Sequence, residues 1–310
     1  MKILFIDTAH DILFSVLEKA GHECVKGYDL SRKEILDTIP QYQGAILRSR
    51  ILADKEFIDK ATQLKFIGRV GAGMETIDVK YAESKGIACI NSPEGNADAV
   101  GEHAMAMLLS LFNNISRADS EVKSGKWIRE KNRGVELAGK TVGLFGYGNM
   151  GKAFAKKLSG FDCKVVAYDK YLENYSDQFA AETSIDKIYQ DSDILSLHVP
   201  LSAETEFMVN DAFINRFTKS FYLLNTARGK CVVTSDLIKN IKSGKVLGAC
   251  LDTIEYEETS FETAPELASN ITALNEVGDK LVLSPHIAGW TQESKEKLAR
   301  ILGEKIISKF

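Results

Sequence analysis

Glycines at positions 146, 148 and 151 form the run Gly146-Tyr147-Gly148-Asn149-Met150-Gly151, a spacing that suits a backbone cradle for a phosphate-bearing ligand. The apolar run Thr141–Phe145 before it predicts a buried strand, and Lys152–Ser159 after it predicts a helix. In such a strand-to-helix turn Gly146 permits the tight turn, Gly148 lets backbone approach the phosphate, and Gly151 packs helix on strand. Asn149 and Met150 open the helix, whose N-terminus adds unpaired N–H groups and a partial positive charge. A second strand, Cys163–Tyr168, ends in Asp169, about twenty residues on, where a carboxylate would accept from the ribose hydroxyls of an adenosine. That carboxylate would also repel a 2′-phosphate, so the pattern favours NAD over NADP. Lys170, next to it, is able to soften the discrimination. A plain glycine turn in an α/β protein is the bland alternative.

Three later segments follow apolar runs. They are Asn225-Thr226-Ala227-Arg228-Gly229, then Ala249-Cys250-Leu251-Asp252-Thr253 leading into Glu255-Tyr256-Glu257, then Ser284-Pro285-His286-Ile287-Ala288-Gly289-Trp290. Ligands of open α/β sheets collect at the carboxyl ends of strands, so these residues would converge beside a bound nicotinamide.

The elements that must position them alternate from end to end. Strands are predicted at Lys2–Ile6, Gly44–Leu47, Phe66–Val70 and Ala88–Asn91, with helices near Asp11–Ala20 and at Ala97–Phe112. A second series starts at Thr141 and includes Val165–Tyr168, Ile194–His198, Phe221–Asn225, Gly248–Leu251 and Leu281–Ser284, before a helix from Ser294 to Ser308. Apolar runs alternating with amphipathic helices predict an α/β chain of parallel sheets with covering helices. The expected organisation is two Rossmann-like, doubly wound parallel-sheet domains with an active-site cleft between them. A dinucleotide domain (97–286) would interrupt a substrate domain formed by 1–96 and 287–310. With 310 residues the chain is long enough for two domains, and 45% hydrophobic with 26% charged residues is ordinary for a soluble protein. A formal charge of −4 gives no sign of nucleic-acid binding. The five cysteines are scattered and never in C-x-x-C spacing, which predicts reduced thiols in the cytoplasm, and no cluster has metal-ligand spacing. No stretch approaches a membrane span, because Asp7 ends the first apolar run.

With N-x-x-R-G, the following L-D and the P-H before the last helix in view, the chain resembles the D-isomer-specific 2-hydroxyacid dehydrogenase family almost end to end. The resemblance implies NAD as cofactor, a small 2-hydroxy or 2-oxo acid as substrate, a homodimer clasped by the long helix and the stretch after it, and a catalytic group at Arg228, Glu257 and His286. The side-chain types suit those roles. Arg228 offers a fork of donors for the carboxylate and polarises the adjacent C2 oxygen. Histidine, with an unperturbed pKa of about 6.5, suits proton exchange at neutral pH. Glu257 would hold the imidazole, with Glu255 and Glu258 as competitors, since the family usually has Pro after this Glu and Glu258 stands here instead. The resemblance further implies cofactor contacts at Asp252, Thr226, Ala227, Gly289 and the stretch His198-Val199-Pro200, although His198 also reads as strand-end packing. His103 reads as structural.

The first domain should choose the acid. Val70-Gly71-Ala72-Gly73-Met74 is a glycine loop after a strand, and the family places substrate against Ala72 and Gly73. Leu47-Arg48-Ser49-Arg50 ends another strand, and two arginines with a hydroxyl suit a phosphate. This segment is similar to its counterpart in family members that act on D-3-phosphoglycerate. The expectation is therefore a phosphorylated substrate, a place in serine biosynthesis, and a short form without a regulatory domain. A glyoxylate or hydroxypyruvate reductase, which needs no arginine pair, stays open. A corepressor-like NAD sensor is the alternative outside enzymology.

Overall fold

The computed structural model describes residues 1–258 and 263–310. The apolar runs become two wholly parallel sheets, each within its own unit. Met1–Ala97 and Trp290–Phe310 belong to the first unit, Asp98–Glu257 and Thr263–Gly289 to the second. The second break falls after 289 rather than 286 for a local reason. The N–H groups of Ile287 and Ala288 each donate to the Asp252 carboxylate at 2.9 Å, which ties this segment to the second unit.

In the first unit β1 (Lys2–Phe5), β2 (Glu23–Lys26), β3 (Gly44–Leu47), β4 (Phe66–Arg69) and β5 (Ala88–Asn91) lie in the order β2-β1-β3-β4-β5. Helices cover both faces, so β3 is buried along its whole length. One face packs Ile3, Phe5 and Phe66 against Leu13 and Leu17 of helix Asp11–Lys19 and against Ala299, Leu302 and Ile306 of helix Gln292–Lys309. The other packs Leu4, Ala45 and Ile67 against Ile35, Phe57 and Ala82. The C-terminal helix starts in a capping box between Thr291 and Ser294.

The second unit contains β6 (Thr141–Phe145), β7 (Lys164–Tyr168), β8 (Ala181–Glu182), β9 (Ile194–Leu197), β10 (Phe221–Asn225), β11 (Val246–Leu251) and β12 (Leu281–Leu283), in the order β12-β11-β10-β9-β6-β7-β8. Helices Ala97–Phe112 and Asn149–Leu158 bury Ala104, Leu108, Phe154 and Leu158 on one face. Helices Ile185–Asp191 and Thr234–Ser243 bury Ile188, Leu237 and Ile241 on the other. The chain reverses direction across the sheet between β6 and β9, the kind of switch point where doubly wound folds bind ligands. Among the described residues no helix is long and apolar enough to cross a membrane.

Candidate active site

At the carboxyl end of β6 two of the three glycines have a steric reason of their own. Gly146 has φ +98°, and a Cβ there would lie 2.5 Å from the His198 carbonyl oxygen. A Cβ on Gly151 would lie 2.4 Å from the carbonyl oxygen of Gly146, whereas one on Gly148 would face open space. Helix Asn149–Leu158 starts at Gly148 with no side-chain cap, which leaves its first-turn N–H groups to an anion. Asp169, at the end of β7, is held by backbone donors: Oδ2 accepts from Tyr147 N at 2.8 Å, and Oδ1 accepts from Tyr171 N at 2.9 Å and Leu172 N at 3.2 Å. His198 follows β9 and packs its ring at a tilt against Phe154, with Nε2 2.9 Å from Ser196 Oγ. Burial pushes its pKa down to about 3, so the ring is neutral. Val199 Cγ1 packs against the Gly146 turn, and the Pro200 carbonyl accepts from Thr205 Oγ1 at 2.6 Å. Thr226 Oγ1, buried after β10, has no hydrogen-bond partner among the described residues. A cradle open only at Gly148, a free helix N-terminus, a terminal carboxylate and an orphaned hydroxyl together fit a dinucleotide.

Arg228, Glu257 and His286 follow β10, β11 and β12, three consecutive neighbours in the sheet. Asn225 shapes the first turn, with Oδ1 accepting from Ala227 N at 3.0 Å and Nδ2 donating to the Arg228 carbonyl at 2.9 Å. One Arg228 nitrogen, Nη1, donates to the Ala227 carbonyl at 2.7 Å. Glu257 joins the other two segments: Oε1 accepts from Gly229 N at 3.3 Å, and Oε2 lies 2.8 Å from His286 Nδ1. Glu255 points elsewhere, accepting from Thr234 N at 2.8 Å at the start of helix Thr234–Ser243. Glu258 is exposed.

His286 sits in left-handed backbone, φ +54°, which a non-glycine residue adopts only when its surroundings hold it there. Asp252 is the holder. Its carboxylate, 1% exposed, accepts from Ser284 Oγ at 2.6 Å and from the N–H groups of Ile287 and Ala288, while its own carbonyl accepts from His286 N at 2.7 Å. Burial opposes its charge, but hydrogen bonds from His103, Ser284, Ala288 and Ile287 outweigh that and keep its pKa below the usual carboxylate range. Both Asp252 oxygens thus brace the His286 segment, and Gly289 directly follows it.

The substrate-side residues expected from sequence belong to the first unit. The Ala72 carbonyl accepts from Asn91 Nδ2 at 2.6 Å, while the N–H groups of Ala72 and Gly73 donate to nothing among the described residues. Arg48 stacks its guanidinium 4.8 Å from the centre of the Trp290 ring, with Ser49 next to it. Arg50 does not pair with Arg48 as expected. Its Nε donates to Asp7 Oδ1 at 3.1 Å, Nη1 to the Leu30 carbonyl at 2.8 Å, and Nη2 to the carbonyls of Gly27 and Ile6. Asp7 is 8% exposed and also accepts from the Arg48 N–H, and Arg50, itself partly exposed, acts as a strut that adds a cation to this buried carboxylate.

A family model, D-isomer specific 2-hydroxyacid dehydrogenase, NAD binding domain, matches residues 105–288. The chain belongs to this family. It is 33% identical to a D-3-phosphoglycerate dehydrogenase of Archaeoglobus fulgidus over 99% of this chain, and spans 57% of that relative's length. It is 35% identical to a hydroxypyruvate reductase of Thermotoga maritima over 89% of this chain and 88% of that protein. A crystal structure of D-lactate dehydrogenase from Aquifex aeolicus, complexed with NAD and lactic acid, superposes with a TM-score of 0.78 at 26% identity, covering 100% of this chain and 94% of that one. Within this family member, sequence reasoning missed a connection. His103 Nε2 lies 2.9 Å from Ser284 Oγ and 3.4 Å from Asp252 Oδ1. The Ser284 hydroxyl gives its proton to Asp252, so His103 Nε2–H must be the donor to Ser284. The available signal was Ser284 immediately before Pro285-His286; nothing in helical spacing marks His103.

Proposed function

We propose that this protein is an NAD-dependent D-2-hydroxyacid dehydrogenase that interconverts D-3-phosphoglycerate and 3-phosphohydroxypyruvate. The 2.8 Å pair of His286 Nδ1 and Glu257 Oε2, joined to the Arg228 turn through Gly229 N, carries this reading. Gly146, Gly148, Asn149, Met150, Gly151 and Asp169 would hold NAD, along with His198, Val199, Pro200, Thr226, Ala227, Asp252 and Gly289. When bound, NAD supplies a nicotinamide that exchanges a hydride with C2 of the acid. Arg228 binds the substrate carboxylate with its fork of donors and polarises the C2 oxygen. Because Nδ1 faces Glu257, His286 uses Nε2 to take the hydroxyl proton in oxidation and to return it in reduction. Glu257 fixes the ring's orientation, and Asp252 fixes the segment that carries the ring.

Within the first unit, phosphate recognition is proposed for Arg48 and Ser49, and substrate contact for the N–H groups of Ala72 and Gly73. The relative named D-3-phosphoglycerate dehydrogenase supports this choice. The internal binding of Arg50 favours a second reading, reduction of hydroxypyruvate or glyoxylate. NADH oxidation with 3-phosphohydroxypyruvate, hydroxypyruvate, glyoxylate and pyruvate separates the two. A preference for the phosphorylated acid that Arg48→Ala abolishes supports the first; equal use of the unphosphorylated acids establishes the second. We also propose a cytoplasmic homodimer acting in serine biosynthesis. Exposed Ile115, Val122 and Trp127, the last 80% exposed, supply an apolar surface for a second copy, which light scattering would detect.

A further inference from the structure

Lys170, next to Asp169 after β7, places Nζ 2.6 Å from Glu204 Oε1. The other oxygen of the same carboxylate accepts from the Tyr171 hydroxyl at 2.9 Å. Glu204 stands in a tight turn after β9. There Ser202 N donates to Thr205 Oγ1 at 2.8 Å, and that hydroxyl donates to the Pro200 carbonyl. β7 and β9 flank β6 on its two sides. One carboxylate therefore links the loops on either side of the strand that delivers the glycine turn. Lys170 is the cation best placed by sequence to offset Asp169, since a basic side chain at this strand end is what admits a 2′-phosphate.

We propose that Glu204 determines cofactor choice, holding Lys170 in an ion pair where it is withheld from the 2′-phosphate of NADP. The inference rests on the NAD site proposed above. Glu204 is doubly engaged, by an ammonium and by a phenol, so its carboxylate is fixed in a way that a lone surface pair is not. The hydrogen bond from Lys170, then that from Tyr171, keeps its pKa below the usual carboxylate range, and Lys170 is correspondingly raised. Asp169 is untouched by this device, so NADP stays the weaker ligand even when Lys170 is released.

The test is direct binding, without substrate. Kd values for NADH and NADPH are measured by nicotinamide fluorescence titration of the wild type, Glu204→Gln, Lys170→Ala and the double variant. Glu204→Gln is expected to tighten NADPH about fivefold and to change NADH by less than about twofold. The gain should shrink as ionic strength rises toward 1 M. Lys170→Ala alone should leave the NADPH/NADH ratio unchanged, and the double variant should return to the wild-type ratio. An unchanged ratio in Glu204→Gln, or a gain that survives in the double variant, overturns the proposal. A wild-type protein that binds neither dinucleotide overturns the cofactor site itself, a distinguishable result.

Discussion

His286 Nδ1 and Glu257 Oε2 meet at 2.8 Å, while Glu255, two residues earlier, caps a helix by accepting from Thr234 N. Two carboxylates in one loop therefore do separate jobs. Glu257→Gln should slow turnover on the order of 100-fold and displace the pH–rate profile. Glu255→Gln should cost about 1 kcal/mol of stability through the cap and leave the profile in place. Steady-state kinetics across pH, with thermal melts, check both; exchanged phenotypes would move the role to Glu255.

Arg48 and Arg50 should also part company. Arg50→Ala removes the only charged partner of the buried Asp7 carboxylate among the described residues, leaves it the Arg48 N–H, and should destabilise the protein by about 2 kcal/mol, seen in urea unfolding. Arg48→Ala removes only the stack on Trp290 and should leave stability within about 0.5 kcal/mol. If the protein acts on a phosphorylated acid, KM for it should rise about tenfold or more in Arg48→Ala. Loss of phosphate preference in Arg50→Ala at unchanged stability would contradict the strut.

The fold was legible wherever strands are buried on both faces. Gly44–Leu47 is a continuous apolar run and Ile194–Leu197 is broken only by Ser196, and both are fully buried. The edge strands Glu23–Lys26 and Ala181–Glu182 escaped notice because neither contains a buried residue, so no apolar run marks them. Glycine spacing spoke for the cradle because Gly146 and Gly151 each answer a steric demand that a Cβ would break. Arg50 misled for the opposite reason. A basic residue at a strand end looks the same in sequence whether it faces a ligand or a buried aspartate forty-three positions away. The His103–Ser284–Asp252 chain was equally silent, since it joins residues up to 181 positions apart.

Burial of His198 carries a pH signature. Its folded pKa of about 3 lies below the unfolded value of about 6.5. The unfolded state therefore binds the extra proton between those values, and stability rises with pH across that window. The contribution is fully present above about pH 6.5 and is lost as pH falls toward 3, with a slope of up to about 1.4 kcal/mol per unit. Urea unfolding of wild type and His198→Gln at pH 7, 6, 5 and 4 isolates it as the difference between the two slopes. Parallel slopes would mean that the folded protein protonates this ring as readily as the unfolded chain.

Gly229 is where the Arg228 turn presses against the loop that carries Glu257. A Cβ there would lie 1.8 Å from the Ile254 carbonyl oxygen, a contact that backbone must move to relieve. The same movement would stretch the 3.3 Å bond from Gly229 N to Glu257 Oε1. Displacing Arg228 relative to Glu257 and His286 by about 1 Å is enough to cost roughly 100-fold in rate. Gly229→Ala should therefore lose about that much in kcat, whereas its Kd for NADH should stay within about threefold, because the glycine cradle after β6 is separate from this contact. Turnover and NADH titration on one preparation of the variant provide the check. If NADH binding collapses along with the rate, the substitution has disturbed the whole unit and the local account of Gly229 fails. If both are kept, the Arg228 turn tolerates movement that the proposed chemistry does not allow.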